Sequence, residues 1–233
     1  MEPETASGNR PSRRTRWALR AQGIALGIVL MLVVAVVHYW PGVSGWATYL
    51  GYKSRVFDLP QPGNYQLASP RDDIPGLKNF AQVSRNLYRA AAADKVGYLQ
   101  LKAYGVRTIV DLRQAHTDRP QLKGLGFNYV WLPTNPSKID DDEVADFLHV
   151  ARNPDLQPLL VHCHAGSDRT GTMVAVYRVM EQGWPVEQAA QELPRFGFHK
   201  VWVPLLQYLK TMDREKINAL AATRPMPPVM HVP

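Results

Sequence analysis

The sequence predicts an α/β protein: a three-layer sandwich with a central, mostly parallel sheet, preceded by one transmembrane helix. Three observations carry that expectation. Short apolar runs at Thr108–Leu112, Phe127–Leu132 and Leu159–His162 have strand length and alternate with stretches of helical periodicity. Residues 21–40 contain no charge, and a bilayer-crossing helix needs roughly 20 apolar residues. Between Val161 and Thr172 the chain reads His162-Cys163-His164-Ala165-Gly166-Ser167-Asp168-Arg169-Thr170-Gly171, a tight loop between a buried strand and the start of a helix.

Taken in order, residues 1–20 form a basic tail with Arg10, Arg13, Arg14, Arg16 and Arg20. The apolar anchor follows at 21–40, and only Lys53 and Arg55 come soon after it. That asymmetry keeps the tail cytoplasmic. It predicts a single-pass protein of the inner or plasma membrane, with its folded domain on the non-cytoplasmic, periplasmic side. His38, Tyr39, Trp40 and Trp46 supply an interfacial belt. A cleaved signal peptide ending near Gly45-Trp46-Ala47 is the competing reading, although its apolar core would exceed the roughly 7–15 residues usual there. Residues 41–76, with five prolines, read as a linker packing on the domain edge.

The domain proper is expected over 77–221. A strand near Val83–Tyr88 comes first, then a helix from Asp94 to Tyr104 ended by Gly105. The strands Thr108–Leu112 and Phe127–Leu132 follow, then a helix Val144–Arg152 with Val144, Phe147, Leu148 and Ala151 on one face. After the strand Leu159–His162 and the loop come three helices: Thr170–Gln182, one opening with Pro185, and Val201–Leu220 with a stripe of Val201, Leu205, Tyr208 and Leu209. Residues 222–233, rich in proline, read as a flexible tail.

The loop is the part with chemistry. N–H groups of a loop curled at a helix N-terminus converge on an anion, and the helix dipole adds to the attraction. A free thiol has a pKa of roughly 8.5, and such surroundings favour its thiolate, so Cys163 is a candidate nucleophile toward phosphorus. Arg169 offers a planar fork for two phosphate oxygens. Gly166 lets the backbone turn, and Gly171 lets the helix begin close to the loop. Thr170 places a hydroxyl where it could assist departure of the thiolate. The loop His164-Ala165-Gly166-Ser167-Asp168-Arg169 supplies the phosphate-binding groups.

His-Cys-x-x-Gly-x-x-Arg-Thr-Gly resembles the signature of the cysteine-dependent protein tyrosine and dual-specificity phosphatases, with every fixed position filled. Asn86-Leu87-Tyr88-Arg89-Ala90, the segment Leu101–Arg113 and the segment Gln182–Glu192 look like the bacterial dual-specificity-like branch, so the resemblance covers about residues 80–215. It implies the cysteine phosphatase fold, Cys163 as nucleophile, Arg169 as phosphate ligand, and neither metal nor other cofactor. Asp168 directly before the arginine is similar to a subset that includes phosphoinositide and lipid phosphatases. The implied partner is thus a phosphorylated protein or a phosphorylated lipid or inositol. A phosphate-binding pseudophosphatase is the remaining alternative.

The proton donor for the leaving group is less plainly written. In the family an aspartate usually lies near where Asn135 stands. Asp140, in the run Asp140-Asp141-Asp142-Glu143, is the candidate, although this cluster also suits the cap and first turn of the next helix. Asp168 is the rival. His162 and His164 flank the cysteine, but residues at i and i+2 on a strand point apart, and no further cysteine or histidine cluster completes a metal site. His162 is instead expected to hydrogen-bond behind the loop. A lone cysteine is otherwise a small buried hydrophobe.

Composition bounds the rest. Of the net charge of +7, the first twenty residues hold +3, from five arginines against two glutamates, leaving +4 for the remainder. A mildly basic domain suits an anionic substrate or membrane surface, and no motif supports nucleic-acid binding. The single cysteine suits an exported protein, since it cannot form a wrong internal disulfide.

Overall fold

The computed structural model describes residues 65–115 and 117–233. The tail, the anchor and most of the linker expected over 1–64 lie outside the described residues. Among the described residues, no helix is long and apolar enough to cross a membrane.

Six strands, β1 (Ala81–Ser84), β2 (Leu87–Ala90), β3 (Thr108–Asp111), β4 (Phe127–Trp131), β5 (Leu159–His162) and β6 (Val229–Val232), form one sheet in the order β1-β2-β5-β3-β4-β6. The pairings β2–β5, β5–β3 and β3–β4 are parallel, and the two edge pairings are antiparallel, so the sheet is mixed. Side chains alternate between its faces. Leu159 and Val161 of β5, Val110 of β3 and Val130 of β4 enter one apolar cluster, while Leu160, Ile109, Phe127 and Tyr129 enter another. The second cluster is closed by Tyr98 and Leu101 of helix α1 (Lys95–Ala103). The first is closed by α3 (Asp141–Arg152), α4 (Asp168–Glu181), α5 (Val186–Ala190), α6 (Val203–Thr211) and α7 (Arg214–Thr223). Helices on both faces make the expected three layers.

The central strand β5 is wholly buried, which is why it reads as a continuous apolar run. The register sets Ala90, His162, Asp111 and Trp131 in a row at the carboxyl ends of the four parallel strands, the end at which open α/β sheets bind ligands. Helix α4, which leaves from this edge, is buried from Thr170 to Val179.

Several expected elements differ. The single strand near Val83–Tyr88 is a hairpin, because the N–H of Asn86 donates to Ser84 Oγ (3.1 Å) and turns the chain. Asp118 opens a short helix, α2 (Arg119–Leu122), that periodicity did not reveal. The helix expected over Val201–Leu220 is two, since Asp213 accepts the N–H of Lys216 (3.0 Å) and caps α7. Val201 falls outside the stripe and is exposed, whereas Val203, Leu205, Leu206 and Leu209 are buried.

The flexible tail expected over 222–233 is corrected as well. Val229–Val232 pairs antiparallel with β4, the Gly124 N–H donates to the Pro233 carbonyl (2.6 Å), and Val232 is buried. Arg224 reaches back to Asp146 (2.7 Å) and Asp142 (3.1 Å) on α3. The prolines between suit an extended approach, and the new strand covers an otherwise open edge. The folded unit also begins before 77: Ile74 is buried, Tyr65 and Leu67 pack on the core, and Arg71 bridges Phe80.

Candidate active site

Cys163 follows directly from β5, is buried, and is a free thiol. The curl is held by the carbonyls of His162, His164, Ala165 and Gly166, each of which accepts a hydrogen bond from outside it. Leu112 N–H donates to His162 O (2.9 Å) and Ala92 N–H to His164 O (3.1 Å). Asn79 Nδ2 donates to Ala165 O (3.1 Å) and Arg89 Nη2 to Gly166 O (2.8 Å). His162 Nδ1 stands 3.1 Å from Cys163 O. With the carbonyls turned outward, the N–H groups of His164 through Arg169 are left for an anion: among the described residues none of them has a protein acceptor. The loop ends in the N-terminus of the fourteen-residue α4.

Two glycines make this curl possible. Gly166 has φ of 70°, and a Cβ there would lie 2.5 Å from the backbone of Ala90. A Cβ at Gly171 would lie 2.8 Å from Leu193 Cδ2. His164 and Ala165 are exposed at the rim, while Ser167 and Thr170 are buried. Among the described residues Thr170 Oγ1 has no partner, so its hydroxyl is available to a group at the cradle.

Arg169 is steadied from the other side by the loops after β3 and β4. Its Nη1 donates to Leu112 O (3.2 Å) and Thr134 O (3.4 Å). Beneath, a buried network braces the edge of the sheet. Arg113 binds Asp111 through two 2.9 Å bonds and also binds Asp118, and Tyr129 Oη donates to Asp111 (2.8 Å). His162 Nε2 lies 2.9 Å from Asp118 Oδ2. Burial pushes the Asp118 carboxyl up, but His162 and Arg113 outweigh it and leave it below the usual carboxylate range. Among the described residues, Asp111, Asp118 and His162 are the one group with metal-ligand atoms close together, within 4.8 Å. The Arg113 guanidinium already supplies the positive charge between the two carboxylates.

The candidate acids part company. Asp140 is the N-cap of α3 in a reciprocal capping box: its Oδ1 accepts the Glu143 N–H (3.0 Å), and Glu143 Oε2 accepts the Asp140 N–H (3.2 Å). Asp141 pairs with Tyr208 and Lys216, and Asp142 with Arg224. The acidic run is therefore occupied in fixing α3 against its neighbours. Asp168 stays at the cradle, where its carboxylate accepts the backbone N–H of His199 (2.6 Å) and lies 2.8 Å from His199 Nδ1. The structure thus brings Cys163, Arg169, Thr170, His162 and Asp168 together and gives Asp140 no bond to them.

Four further residues were not singled out from the sequence: Asn79, Arg89, Asp118 and His199. Arg89 did carry a signal, as a charge within an otherwise apolar strand. The other three come from loops distant in sequence and carry none.

A family model described as "DSP-PTPase phosphatase fused to NAD+ Kinase" matches residues 75–201. The chain belongs to that family. It is also similar to the dual specificity protein phosphatase TpbA of Pseudomonas aeruginosa, at 34% identity over 121 residues, covering 52% of this chain and 55% of that protein. The yeast (Saccharomyces cerevisiae) inositol diphosphatase SIW14 is 25% identical over 154 residues, covering 62% of this chain and 54% of the relative. This chain spans about half the length of these curated relatives. The crystal structure of P. aeruginosa TpbA superposes with a TM-score of 0.59 at 28% identity, covering 67% of this chain and 97% of that one. Its cysteine-to-serine variant in complex with phosphotyrosine gives 0.58 at 26% identity, covering 69% and 100%. The phosphatase fold expected from the loop is the fold of this family.

Proposed function

We propose that this protein is a membrane-anchored, cysteine-dependent phosphatase that hydrolyses phosphate monoesters, on phosphotyrosine or with dual specificity. The observation that carries the reading is the cradle itself. Carbonyls are tied outward around Cys163, the N–H groups are left without acceptors among the described residues, and Arg169 is steadied at the rim. Cys163 Sγ attacks phosphorus, an S–P bond forms, and the P–O bond to the leaving group breaks with that oxygen taking a proton. Water then attacks the phosphocysteine, the S–P bond breaks, and sulfur departs as thiolate, assisted by the Thr170 hydroxyl. The loop N–H groups and the Arg169 fork hold the equatorial oxygens through both steps.

The proton is assigned to the Asp168–His199 pair, because Asp140 is committed to its cap. The His199 imidazole of this pair is open to solvent. A phosphorylated lipid or inositol is the second substrate reading, favoured by Asp168 beside the arginine and by the relative named as an inositol diphosphatase. Anchoring rests on the uncharged run 21–40 and its arginine-rich flank.

Activity is tested on the full chain in detergent with phosphotyrosyl and phosphoseryl peptides, phospholipids and inositol phosphates. Cys163→Ser is expected to abolish hydrolysis on every active substrate while phosphate binding persists. Arg169→Lys should be nearly as damaging, since an ammonium cannot reproduce the fork. Turnover by Cys163→Ser near that of the wild type would overturn the mechanism, and a wild type inactive on all four substrate classes would favour a pseudophosphatase.

A further inference from the structure

Arg89 lies entirely buried on β2, beneath the phosphate loop. Nη2 donates to Gly166 O, but among the described residues Nε and Nη1 have no partner. The guanidinium carbon sits 3.6 Å from the centre of the Phe196 ring, and a Cβ on Gly171 would stand 3.6 Å from Nη2. The side chain therefore underlies the loop from Gly166 to Gly171. A residue present only to fill this volume would be more stable without a charge.

The charges around it do not cancel. Arg178 and Glu192, both buried, form a pair with bonds of 2.9 and 3.0 Å. Glu192 also accepts the Ala68 N–H, and Arg178 also donates to Val83 O and Gln182. Among the described residues, the ionisable groups acting on Arg89 are Glu192, Cys163 and Arg178. Among the described residues, two guanidiniums thus face one carboxylate, which leaves one positive charge uncompensated under the cradle. Burial lowers the Arg89 pKa to about 10, so it stays charged at neutral pH.

We propose that Arg89 is a positioning residue for the phosphate loop: it holds the Gly166 carbonyl outward and supplies the buried positive charge that the Cys163 thiolate, or a bound phosphate, balances. The inference rests on the phosphatase reading of the site. It predicts a property of the thiol that is measurable without turnover, because this chain has one cysteine.

The experiment is the pH dependence of Cys163 alkylation by iodoacetamide, with inorganic phosphate as a protecting ligand, on the full chain. Folding is followed by circular dichroism. Arg89→Met should move the midpoint of alkylation up by about one pH unit or more and weaken protection by phosphate about tenfold. Glu192→Gln removes the opposing charge and should move the midpoint down, a sign that a purely structural role would not produce. A folded Arg89→Met with the wild-type midpoint and phosphate protection overturns the proposal. Should Arg89→Met not fold, Glu192→Gln decides alone, and a midpoint that stays or rises overturns it. A wild type with no phosphatase activity but with these shifts would sink the catalytic reading and leave the role of Arg89 standing.

Discussion

Asp140, 23 residues before Cys163, and Asp168, inside the loop, are the two candidate proton donors, yet they are held differently. Asp140 accepts a helix N–H and gives α3 its start, whereas Asp168 is bonded twice to His199 at the cradle. Their asparagine variants should therefore separate. Asp168→Asn is expected to slow alkyl and tyrosyl phosphates strongly and an activated aryl phosphate little, and to remove the alkaline limb of the pH–rate profile. Asp140→Asn should leave the leaving-group dependence unchanged and cost at most about 1 kcal/mol of stability through its cap. Steady-state rates across a series of leaving groups check both, and the reverse pattern would return the proton to Asp140. At this scale the sequence was legible where residues act together within one loop: Cys163, Arg169 and Thr170 are neighbours in the chain. Asn79 and His199 were not, because they meet the loop only through folding, and nothing in their own surroundings marks them.

Among the elements, the row of strand ends and the network beneath it decide how firmly the loop is held. Asp118, at the start of α2, carries a carboxyl pulled below its ordinary range by His162 and Arg113 against its burial. Its folded-state pKa is thus lower than its unfolded one. The stabilisation is present above the unfolded value of about 4 and is lost as pH falls through the folded value. The melting midpoint should drop as pH falls below about 4, and Asp118→Asn should show a smaller drop from a lower starting point. A second pair, Arg178–Glu192, ties α4 to the segment after α5 with almost no solvent. Glu192→Ala should destabilise by about 3–5 kcal/mol, since it strands a buried guanidinium, as chemical denaturation would measure. Element types were mostly legible, because periods of two and 3.6 belong to the chain itself. Boundaries moved where a single polar side chain bonded a nearby N–H, as Ser84 does in the β1–β2 turn and Asp213 at the start of α7.

For the whole molecule, the C-terminal strand and the proposed N-terminal anchor are tested differently. Deleting residues 224–233 removes the Arg224 ion pairs and bares β4. The melting midpoint should fall by several degrees, at about 2–4 °C per kcal/mol lost, and sedimentation should reveal self-association through the open edge. A truncated chain that stays monomeric with an unchanged midpoint would show β6 to be dispensable. At the other end, a reporter active only outside the cytoplasm and fused after Pro233 should be active, with the protein retained in the membrane after a high-salt wash. A shortened soluble form starting near Thr48 would instead identify a cleaved signal. The sequence by itself determined the phosphate loop, the alternation of strands and helices, and the uncharged run, since each depends on residues close together in the chain. Only the tertiary structure decided that the proline-rich tail is an edge strand, that Asp140 is a cap, and that Arg89 lies under the loop. Those outcomes depend on which distant segment supplies the missing hydrogen-bond or charge partner, and periodicity and spacing carry no record of it.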